Sequence, residues 1–184
     1  MSFYTKLELK NLGFKAVGDN VQISNKASFY GISKISIGDN TRIDDFCVLS
    51  AGVGGINIGR NVHIAVYSSL IGAGEINVDD YANISSKVAI YSSTDDFSGS
   101  FLTNPTMPAD LTNVLSSPVT LGKHVIIGSG CVVLPGVTIS SGAAIGALSL
   151  VKNNVPEFEI FAGTPAIKIS ERKKDLLKLI GEFD

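Results

Sequence analysis

The chain has 184 residues, of which 45% are hydrophobic and 17% are charged, so it can bury one core of ordinary size. Its 15 lysines and arginines against 17 acidic residues leave a formal charge of −2. This balance offers no basic surface to nucleic acid or to an anionic membrane, so neither is expected as a partner.

The first segment, residues 1–16, is predicted to be an N-terminal cap. Residues 3–14 mix apolar and charged positions in a pattern that fits either a helix or a strand. The segment lacks the apolar run of a signal peptide, and no part of the chain has the roughly 18 apolar residues of a membrane span. The two cysteines, Cys47 and Cys131, lie in apolar runs and form no disulfide framework. We therefore expect a cytoplasmic protein in which both thiols are small core residues.

Over residues 17–155 an apolar residue recurs at every sixth position within sets of three, with short insertions between the first sets and one long interruption. Three hexads form a set, and each set is expected to turn the chain once around a triangular coil whose apolar residues point inward and stack on the next coil. A β-sandwich is the alternative, but it has no fixed six-residue register. The pattern predicts a parallel β-helix of six coils, without determining its handedness. The sets begin at Val17, Ile37, Ile58, Val78, Leu121 and Ile139.

The interruption, residues 91–118, is polar and contains three prolines, as loops do. Long insertions into compact domains are usually functional or disordered. This one carries Phe97, Phe101 and Leu102, which need a surface to pack on. We therefore predict an ordered active-site loop that protrudes from the β-helix.

Residues 156–184 are predicted to form a C-terminal segment and an α-helix. Residues 171–182 are rich in Lys, Leu and Glu and place Leu176, Leu177 and Ile180 at helical spacing. Both ends of the chain are expected to cap the open edges of the β-helix.

The hexads, the loop and the sequence Ala162-Gly163-Thr164-Pro165 together resemble the hexapeptide-repeat acyltransferases, in particular the galactoside, maltose and cell-surface-sugar acetyltransferases. The resemblance covers residues 17–170 and is most specific over residues 124–156. It implies a left-handed parallel β-helix and a homotrimer with active sites between adjacent prisms. The implied activity is direct acetyl transfer from acetyl-CoA, without a metal, to a sugar or amino-sugar acceptor of cell-surface polysaccharide metabolism, as O- or N-acetylation.

The resemblance also implies a coenzyme site along the C-terminal coils. Two small residues would face the pantetheine arm and let backbone amides approach it, and a locally basic C-terminal region would suit the phosphates. Arg172, Lys173 and Lys174 belong to that basic region or to a solvated helix face. The implied acetyl-CoA-binding residues are Ser129, Ala147, Lys152, Asn153, Gly163, Thr164 and Lys168.

The chain departs from these acetyltransferases at the catalytic position. Sugar O-acetyltransferases of this type place a histidine after the hexad that opens the loop, and this sequence has Asp95 there. Of the two histidines, His124 is interpreted as structural. His63 lies in an outward polar column with Arg42 and Asn83, where an interface role and a catalytic role are both open.

Two mechanisms follow. In the first, Asp95 or Asp96 takes the acceptor proton or orients His63 to take it, and the adjacent carboxylates raise one pKa in a closed cleft. In the second, the acceptor is an amine, which attacks the thioester before it loses a proton and needs only a weak base. A backbone amide stabilises the oxyanion in both. The candidate acceptor-binding residues are Phe97, Ser98, Asn104, Asn113 and Asn83.

Two alternative functions are open for a chain that resembles this fold. A zinc carbonic anhydrase needs three histidine ligands, and this chain has two histidines. A non-catalytic scaffold accounts for the missing histidine but leaves the coenzyme-side pattern unexplained. We therefore expect an acetyl-CoA-dependent acetyltransferase.

Overall fold

The computed structural model describes residues 2–183; Met1 and Asp184, at the outer ends of the two predicted terminal segments, lie outside the described residues. The chain winds into a parallel β-helix of six complete coils, as the hexads predicted, and a seventh turn is incomplete. Tight turns connect three short strands in each coil. In chain order the strands are β1 (Ala16–Val17), β2 (Gln22–Ile23) and β3 (Ser28–Tyr30) in coil 1, β4 (Ile35–Ile37), β5 (Arg42–Ile43) and β6 (Val48–Ala51) in coil 2, β7 (Ile56–Ile58), β8 (His63–Ile64) and β9 (Ser69–Gly72) in coil 3, and β10 (Ile76–Val78), β11 (Asn83–Ile84) and β12 (Ala89–Tyr91) in coil 4.

The loop follows coil 4 and begins and ends with an antiparallel pair, β13 (Ser93–Thr94) and β14 (Leu115–Ser116). Beyond it the winding resumes and closes with an antiparallel hairpin at the C-terminal edge. The remaining strands are β15 (Val119–Leu121), β16 (Ile126–Ile127) and β17 (Val132–Val133) in coil 5, β18 (Thr138–Ile139), β19 (Ala144–Ile145) and β20 (Leu150–Val151) in coil 6, then β21 (Glu159–Gly163) and β22 (Ala166–Glu171).

The strands stack into three faces. The first face has the order β1-β4-β7-β10-β15-β18, the second β2-β5-β8-β11-β16-β19-β21-β22, and the third β3-β6-β9-β12-β17-β20. We call the turns from the first to the second face the first corner, those from the second to the third face the second corner, and those from the third back to the first the third corner.

The pairing register matches the predicted hexads. On the second face Ile43 pairs with Ile64, Ile64 with Ile84, and Ile84 with Ile127, and these side chains are fully buried. Because each inward residue lies on its counterpart one coil away, every coil depends on its neighbours for its core.

The two cysteines belong to the core, as expected. Cys47 and Cys131 are fully buried, and the Cys47 Sγ donates to the Ala65 carbonyl oxygen at 3.1 Å. Burial raises the pKa of the Cys47 thiol to about 11.

The first corner is built from residues with positive φ. Asn20, Asn40 and Asn61 each have φ of 55°, a conformation that asparagine tolerates better than most residues. His124 continues this column with φ of 60°, and its ring stacks on that of Tyr81 with centroids 4.9 Å apart. The structural interpretation of His124 therefore agrees with its position.

The N-terminal segment lies at the coil 1 edge of the β-helix, and β22 forms the opposite edge of the second face. The helix α1 (Lys6–Asn11) has a capping box in which Thr5 and Glu8 satisfy each other's backbone, and its Leu9 packs into the core. The N-terminal cap is thus helical. The 3₁₀ turn Ile32–Lys34 links coils 1 and 2.

The C-terminal helix α2 (Leu176–Phe183) begins later than the predicted residue 171, because residue 171 is still part of the strand β22. Among residues 2–183, no helix combines the length and apolar character that crossing a bilayer requires.

The loop is ordered by local structure. Besides the β13–β14 pair it contains a 3₁₀ turn, Ala109–Leu111, and a bridge between Leu102 and Thr112. Its apolar side chains nevertheless remain exposed, with Phe97 at 92%.

Candidate active site

The second corner of coils 5 and 6 brings together four of the predicted coenzyme-binding residues. Ser129 and Ala147 are both exposed there on successive coils, joined through a bond from the Leu148 N–H to the Ser129 carbonyl at 2.9 Å. At the end of β21, the Gly163 N–H donates to Ser149 Oγ at 3.0 Å. Thr164 Oγ1 donates to the Leu148 carbonyl at 3.3 Å, which places the Gly163–Thr164 turn against the same corner.

Two glycines keep this corner narrow. A Cβ on Gly128 would lie 2.5 Å from the Ala147 nitrogen, and one on Gly146 would lie 2.8 Å from the Ala162 Cβ. Any side chain at either position would push the next coil away, so the close stacking of the exposed backbone at this corner requires glycine.

The predicted basic residues do not gather at the second corner. Lys152 and Asn153 follow β20 and are exposed on the third corner. Lys168 is held by two carboxylates, Glu159 at 2.6 Å and Glu171, and these hydrogen bonds raise the pKa of the Lys168 ammonium. Within one chain, the basic patch predicted from the sequence is therefore divided and partly neutralised.

Arg172 has a structural position. Its Nη1 donates to the carbonyl oxygens of His124 and Gly142, both at 2.8 Å, and of Ala143 at 3.3 Å, all on the first-corner side. Lys174 lies over the Phe158 ring at 5.0 Å. These contacts fasten the C-terminal segment to the β-helix and direct both cations away from Ser129 and Ala147.

The first turn of the loop forms a cleft of about 400 Å³ against the third face at coils 4 and 5. Asp95 and Phe97 line this cleft together with Tyr91, Val132 and Leu134. The Asp95 side chain is exposed at its edge. The cleft is therefore an open groove with one carboxylate and an apolar floor.

The neighbouring loop residues are engaged with one another. Ser98 Oγ donates to Asp96 Oδ2 at 2.8 Å, and this bond holds the pKa of the Asp96 carboxyl below its ordinary value. The expectation that a carboxyl pKa is raised here is thus wrong for Asp96, because the hydroxyl stabilises its charged form. Asn104 Oδ1 accepts from Thr106 Oγ1 at 2.6 Å, and Asn113 is half-buried near the end of the loop.

His63 lies on the outer side of the second face, in the column predicted for it. The register pairs Arg42 with His63 and His63 with Asn83 on successive coils. His63 Nε2 is 3.0 Å from Asp44 Oδ2, and His63 Nδ1 is 3.2 Å from Asn83 Oδ1. Both ring nitrogens are therefore engaged within the chain, which favours a held, orienting histidine over one that accepts a substrate proton.

Asp44 is a site residue that was not predicted from the sequence. Its carboxylate is buried at the start of the second corner, and Arg42 Nε donates to its Oδ1 at 2.7 Å. The signal was present in the repeat: Asp44 directly follows the inward Ile43, at a position that Ala65, Ser85 and Gly128 occupy in later coils. A carboxylate at a position that otherwise holds small residues, one coil from His63, indicates that Asp44 and His63 pair.

One chain does not bring His63 and Asp95 together. His63 lies on the second face, whereas Asp95 follows the last strand of coil 4 on the third face. Within residues 2–183, no three His, Cys, Asp or Glu side chains are grouped closely enough to hold a metal ion. The available functional groups are thus a carboxylate in a cleft, a hydrogen-bonded cluster of Arg42, Asp44 and His63, and a narrow corner of exposed backbone.

No protein-family model matches the chain. It is, however, 56% identical over 183 residues to the dTDP-4-amino-4,6-dideoxy-D-glucose acyltransferase of Escherichia coli, an alignment that covers 100% of this chain and 95% of that protein. The chain belongs to this family of sugar acyltransferases. The resemblance found in the hexads is thereby confirmed, and the protein is an acyltransferase with the predicted β-helical fold.

Other members of this acyltransferase family agree. The putative lipopolysaccharide biosynthesis O-acetyl transferase WbbJ of E. coli K12 is 32% identical over 165 residues, covering 86% of this chain and 72% of WbbJ. AntD, an N-acyltransferase from Bacillus cereus, superimposes with a TM-score of 0.94 at 47% identity, covering 99% of this chain and 97% of AntD. That AntD structure is a single-residue variant in complex with dTDP-4-amino-4,6-dideoxyglucose and coenzyme A. The predicted acyl-CoA co-substrate is consistent with the coenzyme A in the AntD complexes.

Proposed function

We propose that this acyltransferase moves the acyl group of an acyl-CoA onto the amino group of dTDP-4-amino-4,6-dideoxyglucose. The observation that carries the proposal is the identity of 56% over the whole chain to an enzyme of that name. An amine acceptor also accounts for the missing histidine. A neutral amine attacks a thioester without prior deprotonation, so the carboxylate of Asp95 is a sufficient partner.

The proposed active assembly is a homotrimer whose sites lie between adjacent copies. The cleft beside Asp95 is bounded by Tyr91 of coil 4 and Val132 of coil 5. The second corner at Ser85 and Gly128 stands at the same two coils. Two copies with parallel axes would therefore set Asp95 of one opposite the second corner of the other. Such a contact would also cover the exposed apolar loop residues Phe97, Phe101, Leu102 and Leu115.

In the proposed reaction, the acyl-CoA lies along the second corner at Ser129 and Ala147, with Gly163 and Thr164 beyond them. The amine nitrogen forms the new C–N bond, the C–S bond breaks, and coenzyme A leaves as a thiolate that takes up the amine proton. Asp95 accepts a hydrogen bond from the amine and stabilises its developing positive charge. A backbone N–H of the corner stabilises the oxyanion of the tetrahedral intermediate.

The test is acyl transfer from acetyl-CoA to dTDP-4-amino-4,6-dideoxyglucose, followed by release of the free thiol and by mass spectrometry of the nucleotide sugar. Asp95→Asn keeps an acceptor oxygen but removes its charge, and a hydrogen bond to a charged group is worth about 1–1.5 kcal/mol more than a neutral one, so kcat/KM should fall about 5- to 10-fold. Asp110→Asn is the matched control, because Asp110 is an exposed aspartate of the same loop. No transfer by the wild-type chain would overturn the proposal, and equal rates for Asp95→Asn and wild type would remove Asp95 from it.

The trimer and its location have separate tests. Light scattering after gel filtration should give the mass of three chains, and a monomer that retains full activity would contradict a shared site. We also place the protein in the cytoplasm, since its two cysteines are free thiols, as is usual in a reducing compartment. Cell fractionation of the source organism would test that location.

A further inference from the structure

We propose that the hydroxyl groups of Ser92 and Ser93 fix the neck of the loop on coil 3 and thereby position Asp95 for the acceptor amine. The neck is the place where the chain leaves and rejoins the β-helix, residues 92–93 and 116–117. The inference rests on the proposed function, because that function gives Asp95 its role. It adds to the reaction two positioning residues that act through Asp95.

The third corner of coils 2 and 3 shows how a regular coil is held at this edge. The Gly52 N–H donates to the Gly72 carbonyl at 3.0 Å, and the Gly54 N–H donates to the Ala73 carbonyl at 2.9 Å. The register of β9 and β12 brings Ser92 to the level of Gly72 in the next coil, where the chain turns out into the loop. The corner of coil 4 therefore needs other hydrogen bonds.

Two serine hydroxyls supply those hydrogen bonds. Ser92 Oγ donates to the Gly74 carbonyl oxygen at 2.7 Å, and Ser93 Oγ accepts from the Ala73 N–H at 3.2 Å. Ser92 is fully buried, and Ser93 is half-buried. Because a hydrogen bond weakens steeply when its angle changes, two such bonds fix the direction in which the chain leaves coil 3.

The neck is also held by close packing. A Cβ on Gly74 would lie 2.8 Å from the Ser92 carbonyl oxygen and 2.9 Å from the Ser117 carbonyl oxygen, and a Cβ on Gly72 would lie 2.8 Å from the Ser92 nitrogen. The returning chain closes on the departing one, since the Ser117 N–H donates to the Ser92 carbonyl at 3.0 Å. The neck thus lies against the backbone of coil 3 at a spacing that requires glycine.

The position of Asp95 depends on the direction of this neck. Asp95 follows β13 directly, three residues after Ser92. Three extended residues span about 10 Å, so a rotation of about 10° at the neck would move Asp95 by about 2 Å. A reacting group must be held within about 0.5 Å of its productive position. Phe97, farther along the loop, is 92% exposed, so within one chain the neck sets the direction of Asp95 more than packing of the loop does.

The experiment is a double-mutant cycle between Ser92→Ala and Asp95→Asn, with kcat/KM for acetyl transfer to dTDP-4-amino-4,6-dideoxyglucose as the readout. Ser92→Ala should lower kcat/KM by about three- to tenfold, no more than Asp95→Asn does, and leave the Kd of coenzyme A within about twofold. In the Asp95→Asn background, Ser92→Ala should change kcat/KM by less than about twofold, because the charge that it positions is already gone. Ser93→Ala, a milder change, should show the same pattern with a smaller loss.

Thr41→Val is the matched control. Thr41 is also fully buried, and its Oγ1 donates to a glycine carbonyl, that of Gly59, at 2.8 Å, but on the first corner. The Tm should fall by similar amounts in Thr41→Val and Ser92→Ala, while kcat/KM of Thr41→Val stays within about twofold of wild type. Equal losses of activity in these two variants would mean that the rate follows general stability, which overturns the inference.

The cycle also separates this inference from the proposed function. If the losses from Ser92→Ala and Asp95→Asn multiply in the double variant, Ser92 does not act through Asp95 and the inference is overturned, while transfer by wild type still supports the proposed function. If Ser92→Ala does not fold, the cycle of Ser93→Ala with Asp95→Asn decides in the same way. If wild type transfers no acyl group to the nucleotide sugar, the proposed function fails and this inference fails with it.

Discussion

Replacing Gly128 by alanine should separate the coenzyme site from the stability of the β-helix. The added Cβ would lie 2.5 Å from the Ala147 nitrogen and 2.8 Å from its Cα, so the backbone of coil 6 must move at the second corner. Gly122→Ala imposes nearly the same strain in the same coil, because its Cβ would lie 2.6 Å from the Ser141 nitrogen, but on the first corner. The two variants thus create steric clashes of similar closeness, but at different corners of the same coil.

Overpacking of this kind costs about 1–3 kcal/mol, and each kcal/mol lowers Tm by about 2–4 °C for a chain of this size. Both variants should therefore show similar falls in Tm by differential scanning calorimetry. Only Gly128→Ala displaces the backbone beside Ala147. A lost hydrogen bond is worth about 1 kcal/mol, so the Kd of coenzyme A should rise about fivefold for each one lost.

Titration calorimetry with coenzyme A measures that difference directly. Equal increases in Kd for both glycine variants would mean that coenzyme affinity follows general stability. An unchanged Kd for Gly128→Ala, with the expected fall in Tm, would remove the second corner of coils 5 and 6 from the coenzyme site.

Three further outcomes are expected. Ile64→Ala, at a fully buried position in the stack, should lower the free energy of unfolding in urea by about 2–5 kcal/mol, and a loss below 1 kcal/mol would show that the inward stack is not the main core. The pKa of the Cys47 thiol rises from 9.0 to about 11 on folding, so between these pH values the folded chain keeps a proton that the unfolded chain loses. The free energy of unfolding should therefore fall as the pH rises through this range, and more steeply in wild type than in Cys47→Ser. Equal slopes of unfolding free energy against pH in the two proteins would contradict the shift. Arg172→Ala should lower the free energy of unfolding by about 1–3 kcal/mol, because three carbonyl oxygens lose their contacts with the guanidinium. The affinity for coenzyme A should not change. Weaker coenzyme A binding without a loss of stability would mean that Arg172 belongs to the coenzyme site.

The sequence by itself determined the coil. A period of six places Ile43, Ile64 and Ile84 at equivalent positions, and a slip of one residue would turn each of them to the solvent. The strand register, the inward column, the break at the loop and the core role of the cysteines therefore followed from spacing and apolarity alone. The resemblance assigned Ser129 and Ala147 to the coenzyme site, and the stacking of coils 5 and 6 brings both to one corner.

Only the tertiary structure decided how side chains from different coils and segments meet. The hexad period does not specify the directions of side chains outside the inward column. Three contacts depend on those directions: the pair of Asp44 and His63, the Ser98 hydrogen bond that lowers the pKa of Asp96, and the ion pairs of Lys168 with two glutamates. The structure likewise separated His63 from Asp95, on two faces of one prism. A repeat fixes which residues share a level and a column; the distances between charged groups at the corners arise only when the coils are stacked.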